Sequence, residues 1–192
     1  MRVGWGRQGV LVSLLLLNGS EAWAGSAEPP LLDTVRAFYG WVLDHGEETA
    51  RLQPGIKAES SSNRLYLDLS TLHSFSESFL RSGFFAPAFS RSVEGYYRKR
   101  AAEIAALPQA EFDEMARDGR GPLLETEDMD IFFCAQEYEY RPQFIQEMRL
   151  KSLWAEGATA VAVVISPAKW ETTFHFVKDQ ERWLISGYCV YR

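Results

Sequence analysis

From Ala158 to Tyr191 the chain reads ATAVAVVISPAKWETTFHFVKDQERWLISGYCVY. Pro167-Ala168-Lys169 and Asp179-Gln180-Glu181 divide it into three runs: Ala158 to Ser166, Trp170 to Lys178 and Arg182 to Tyr191. Each run is rich in β-branched or aromatic residues and has the length of a strand, bounded by turn residues. Just upstream, Phe144, Gln146, Met148, Leu150 and Trp154 alternate with Glu147, Arg149 and Lys151. That period of two predicts an earlier, half-buried strand ending at the turn Glu156-Gly157. Four strands joined by connections this short form an antiparallel meander.

Outward from this block, toward the N-terminus, the period is helical. Leu32, Val35, Phe38/Tyr39 and Val42 recur every three or four residues after Pro29-Pro30, predicting a first helix that stops at Gly46. The stretch from Glu47 to Glu59 reads as a loop turning at Pro54-Gly55. A second stripe, Leu65, Leu69, Leu72, Phe75/Ser76 and Phe79, ends at Gly83, with Ser61 or Ser62 as cap. Phe84 to Phe89, broken by Pro87, reads as an apolar loop that packs down on the helices. A helix follows from about Ser92 with Val93, Tyr96/Tyr97 and Ile104 on one side, and Pro108 stops it or restarts it through Met115. Gly119-Arg120-Gly121-Pro122 is a turn. Helices first and an antiparallel sheet last define an α+β domain, with the helices on one face of the sheet.

The N-terminus reads as a processing signal. Arg2 and Arg7 precede the apolar run Val10 to Leu17, and Ala22-Trp23-Ala24 forms an A-x-A box before Gly25. This is the pattern of a secretory signal peptide over residues 1–24, cleaved near Ala24. Residues 25–192 are then one exported domain, soluble and without a membrane anchor. The chain carries 20 Lys and Arg against 26 Asp and Glu, a net charge of −6, which becomes −7 once Arg2, Arg7 and Glu21 are removed. An acidic chain without a basic tract argues against nucleic acid or an anionic membrane as partner.

Cys134 and Cys189 are the two cysteines of the chain. In an oxidising compartment such a pair is more often a crosslink than a nucleophile. Cys189 shares a strand face with Trp183, Ile185 and Tyr191, and Cys134 lies in an apolar run just before the sheet, so the two are expected to form a disulfide. The competing reading, Cys134 or Cys189 activated by His175, stays open. The histidines His45, His73 and His175 have no H-x-x-x-H or H-E-x-x-H spacing, so no zinc site is expected. The acids Glu125, Glu127, Asp128 and Asp130 lack the glycine and closing glutamate of a calcium loop, and read as a solvated or turn-capping segment. No metal or cofactor is called for.

Three stretches carry a family resemblance: FYGWVLDH (Phe38 to His45), DMDIFFCAQEYE (Asp128 to Glu139) and TTFHFVKDQERWLISGY (Thr172 to Tyr188). They resemble the YbjP-type secreted envelope domains, a bacterial family of unknown function that includes lipoproteins. That likeness implies a cystatin-like or nuclear-transport-factor-like cone, with helices packed into a bent sheet. This chain lacks a lipidation cysteine, so tethering is not implied. Cones of this kind sometimes host enzymes, and the inward-facing candidates here are Tyr39, Trp41, Asp130 and His175. Asp130 and His175 are the two suited to proton transfer near neutral pH. The bland reading of Phe38, Tyr39 and Trp41 is aromatic core and rim. The expected function is that of a periplasmic, non-catalytic binding protein for a protein partner, of envelope-assembly or toxin-immunity type. The alternative is a small-molecule binder or an enzyme using the cone pocket.

Overall fold

The period-two block folds as its pattern dictates. In the computed structural model, which describes residues 30–121, 130–134 and 141–191, the chain is α+β. Strands β3 (Arg149–Glu156), β4 (Thr159–Ile165), β5 (Glu171–Asp179) and β6 (Arg182–Tyr188) form one antiparallel sheet in the order β3-β4-β5-β6. Two other strands, β1 (Gly55–Ala58) and β2 (Leu65–Asp68), make a separate hairpin. The helices are α1 (Pro30–Ala50), α2 (Leu72–Arg81), α3 (Pro87–Ala105), α4 (Gln109–Asp118) and α5 (Pro142–Gln146). Residues 1–24, read above as a signal peptide, and the acids Glu125, Glu127 and Asp128 lie outside the described residues.

One face of the sheet is the core. Ala160, Ala162 and Val164 of β4 alternate with Val161, Val163 and Ile165, and only the first set is fully buried. Register carries that face across: Ala162 pairs with Phe174, Ala160 with Phe176, Phe176 with Ile185 and Phe174 with Tyr188. The helices deliver matching rings. Phe38, Phe79, Phe85 and Phe89 are fully buried, with Phe89 stacked on Tyr188 at 5.4 Å and Phe38 edge-on to Phe85 at 4.9 Å. Edge-to-face and offset pairs at these spacings add to the area they bury.

Several boundaries differ from the periodicity. The first helix does not stop at Gly46 but runs to Ala50. Gly46 is buried there for a packing reason, because a Cβ would stand 3.0 Å from Val42 Cγ1 and 3.4 Å from the Phe132 ring. The second stripe does not begin at Leu65. Leu65, Leu67 and Leu69 also obey a period of two, and Leu65–Asp68 pairs with Gly55–Ala58, a hairpin where the sequence suggested a loop and a helix start. Leu69 is half-buried between β2 and α2, and Ser62 bonds within the hairpin loop, to Glu59 and to the Arg64 amide, instead of capping a helix. Asp68 accepts the Ser70 amide at 2.9 Å, which turns the chain into α2.

Pro87 opens α3 rather than breaking a loop, a position where its missing N–H costs nothing. Just before it, the Ala86 amide donates to the Ile185 carbonyl (2.9 Å) and the Ile185 amide to the Phe84 carbonyl (2.8 Å). Phe84 to Ala86 thereby covers the β6 edge, which would otherwise present unpaired backbone groups. After Pro108 the chain restarts as α4 and ends at Gly119 in the left-handed region (φ 64°). The expected strand from Phe144 begins only at Arg149, since Pro142–Gln146 is a short helix with proline in its first turn. The Arg36 guanidinium of α1 holds that corner, donating to the carbonyls of Gln146 (2.9 Å) and Met148 (2.7 Å).

Candidate functional site

The four sequence candidates do not converge on one cavity. Tyr39 and Trp41 are two residues apart on α1, about 200° around a helix of 3.6 residues per turn, so they serve different faces. Tyr39 is buried and stacked on Phe133, with ring centroids 4.3 Å apart and planes 4° from parallel. Burial pushes its phenol well above the ordinary value, and the Asp130 carboxylate pushes it further, while the Thr172 hydroxyl acts the other way. A phenol in that state holds its proton throughout the physiological range. Tyr39 is core.

Asp130 has structural work of its own. Its Oδ1 accepts the amides of Phe132 (2.9 Å) and Phe133 (2.8 Å), and its carbonyl accepts the amide of Cys134 (2.9 Å). Aspartate caps turns in this way because its short side chain reaches backbone amides two and three residues on. Both lone-pair directions of Oδ1 are committed to the turn. The turn is also held from the sheet, where the buried Tyr188 hydroxyl donates to the Ile131 carbonyl at 3.2 Å. Cys134, its last residue, stands at disulfide distance from Cys189, 5.7 Å between Cα atoms, and the two are joined. The DMDIFFC stretch, where described, is therefore a capped and crosslinked turn.

His175 lies on the other side of the sheet. It pairs with Val161 and Gly187 across β4 and β6 and alternates with the buried rings Phe174 and Phe176. Asp130 and His175 are thus separated by the sheet, and no acid–base pair forms between them. With the cysteines joined to each other, a Cys–His nucleophile has no free thiol either. Among the described residues, no group of three His, Cys, Asp or Glu side chains is placed to hold a metal ion. No helix among them is long and apolar enough to cross a membrane.

Trp41 opens onto a different feature. Its indole lies parallel to the His45 imidazole, 5.2 Å between centroids and 7° between planes, and His45 Nδ1 is 3.1 Å from the Trp41 carbonyl. The pair forms one wall of a cleft of about 250 Å³ between α1 and α2, completed by Glu48, Thr49, Leu52, Ser78 and Arg81. The α1 members follow from the helical spacing of 41, 45 and 48, with Leu52 just past the helix end, a face that the sequence reading overlooked because only its apolar stripe was sought.

The outer face of the sheet is the second exposed feature. Register places Trp154, Val161 and His175 in one cross-strand row and Ser152, Val163 and Thr173 in the next. Trp154 is 54% exposed and Trp170, at the β4–β5 connection, 44%. Lys151 and Glu171 pair at 2.5 Å beside them. Compared with known proteins, the chain matches no family model, and no curated protein or solved structure is detectably similar to it.

Proposed function

We propose that the protein is a secreted, non-catalytic binding protein that engages a protein partner in the bacterial envelope through the outer face of its sheet. The observation that carries this reading is the filled interior. The face where a cone-shaped enzyme would keep its pocket is packed with Phe38, Tyr39, Phe89, Phe174, Phe176 and Tyr188, all buried. The proton-transfer candidates Asp130 and His175 stand on opposite sides of that packing. The exposed tryptophans lie elsewhere, at Trp154 and Trp170, beside the β-branched residues Val161, Val163 and Ile165. Tryptophan is enriched at protein interfaces, where it supplies large rigid contact area. A partner suited to this face offers an apolar surface with few charges at its centre.

Kinship with the YbjP-type envelope domains and their cone fold belongs to the same proposal. It is supported by the order of elements, helices first and a four-stranded meander last, and by the N-terminal pattern of Arg2 and Arg7, the apolar run Val10 to Leu17 and Ala22-Trp23-Ala24. N-terminal sequencing of material from the producing cells tests the export half. Gly25 as first residue, in the soluble envelope fraction, is expected. An intact Met1, or recovery with membranes, would overturn it.

The binding half is tested with a photo-crosslinking amino acid placed at Trp154 and, separately, at the exposed Arg91 of α3. A discrete adduct with a second polypeptide at position 154 and none at 91 is the expected result. Equal labelling at both positions, or none at either, removes the case for this face.

A further inference from the structure

The two edges of the four-stranded sheet are not alike. Phe84 to Ala86 covers β6 through the bonds it exchanges with Ile185. Among the described residues, β3 makes backbone–backbone bonds with β4 and with no strand or loop on its other side. It is eight residues long, and only Leu150 and Leu153 are as much as half-buried, so an open row of donors and acceptors faces water. Such a row is a template for a further strand. A lysine held out along an edge is a common guard against pairing, but here the lysine is turned away. Lys151, the extra residue of the bulge between Leu150 and Ser152, reaches over β4 to pair with Glu171 of β5.

The core face is also unfinished at this edge. Ala155 pairs with Ala160 and Leu153 with Ala162, and both β4 alanines are 1% exposed. Ala155 itself is exposed and Leu153 only half-buried, so cover over the core face ends between β4 and β3.

What β3 matches is itself. In a two-fold antiparallel pair, opposed residues point to the same face and every contact occurs twice. With Leu153 on the dyad and the bulge counted as one position, Arg149 stands opposite Glu156 of the second copy, Leu150 opposite Ala155 and Ser152 opposite Trp154. The register with β4 puts Arg149, Ser152, Trp154 and Glu156 on the outer face and Leu150, Leu153 and Ala155 on the core face. Every opposed pair therefore agrees in face. Opposite charges meet at both ends of the pairing, and the exposed apolar residues of the core face meet one another between them.

We propose that two copies of this chain pair through β3 in that register, joining their sheets into one. The inference does not rest on what binds the outer face, because it concerns the edge and a second copy of the same chain.

Sedimentation velocity on the purified protein alone tests it, with no envelope partner present. A reversible monomer–dimer equilibrium is expected, with amide exchange in β3 slowing as concentration rises and exchange in β5 unchanged. Arg149→Glu sets acid against acid across the dyad, and Glu156→Arg sets base against base. Each is expected to weaken the dimer about tenfold or more. The double variant Arg149→Glu/Glu156→Arg restores opposite charges and should bring the dimer back to near its original strength. Both positions are exposed, and thermal melts verify that each variant is folded. A protein still monomeric at about 1 mM overturns the proposal, since even a millimolar dissociation constant would show there. A dimer indifferent to both single changes, or one that the double variant fails to restore, overturns it as well.

Discussion

The Cα atoms of Cys134 and Cys189 lie 5.7 Å apart, and both residues hold positive φ, 55° and 59°. Non-glycine residues enter that region at a cost, and they remain there when the surroundings over-determine them. Here the surroundings are specific. Cys134 closes the turn capped by Asp130, and Cys189 begins the tight turn in which the amides and carbonyls of Tyr188 and Tyr191 bond reciprocally at 3.1 Å. The bond between them ties two turns that are 55 residues apart in sequence.

The first prediction concerns that bond. Thiol titration of unreduced, denatured protein is expected to find no free thiol, and two reactive thiols would refute the crosslink. In the chain-entropy description a loop of this length contributes about 4 kcal/mol. Cys134→Ala/Cys189→Ala should therefore lower the unfolding free energy by about that amount in denaturant melts.

Two glycines of α1 should respond in opposite directions to the same change. At Gly40, among the described residues, nothing lies within 4 Å of an added Cβ, so Gly40→Ala should stabilise by about 0.5–1 kcal/mol through helix propensity. At Gly46 the methyl meets Val42, stiff at χ1, and the Phe132 ring. Gly46→Ala should destabilise by about 1–3 kcal/mol, the range for overpacking. Equal signs in chemical denaturation would mean that the capped turn does not sit against α1 as described.

The buried face of α2 sets a third contrast. Leu72 is almost wholly buried, and Leu72→Ala should cost about 2–5 kcal/mol. Ser74, exposed on the same helix, should tolerate alanine within about 0.5 kcal/mol. Comparable losses at both would put the helix face wrong.

Acid provides the fourth. The Lys57 ammonium, 2.5 Å from Asp68, and then the Ser70 amide hold the Asp68 carboxyl at about 2, below its ordinary 3.8. A carboxyl whose value is lowered by folding contributes stability above the unfolded value, and that contribution is lost as pH falls through the folded one. The β1–β2 hairpin should therefore hold at pH 4 and loosen between about 4 and 2. The Ser70 amide shift followed by NMR should titrate with a midpoint near 2. A midpoint at 3.8 would mean that the pair with Lys57 does not form in solution.

Much of this architecture is legible in residue order, because alternation and helical spacing are local properties. The meander from Arg149 to Tyr188 needs only a period of two and short turns, and the stripe from Leu32 to Val42 needs only the helical period. The sequence also restricts any crosslink to Cys134 and Cys189, because it holds no other cysteine.

What stayed hidden depends on which surfaces meet. Leu65 and Leu69 fit a helical stripe with Leu72 and equally a period of two with Leu67, and only pairing with Gly55–Ala58 decides between them. Gly46 looks like a helix stop until the Phe132 ring is placed against it, whereupon the same missing side chain lets the helix continue. Asp130 and His175 look equally fit for proton transfer in a string of letters. The sheet stands between them, with one carboxylate oxygen spent on backbone amides and the imidazole across from Val161. Glu48 and Arg81 are 33 positions apart in the numbering and line one cleft only because α2 packs against α1. Local periodicity determined the elements of this protein; the packing of distant residues, which no local pattern encodes, decided where its helices end and which side chains share a site.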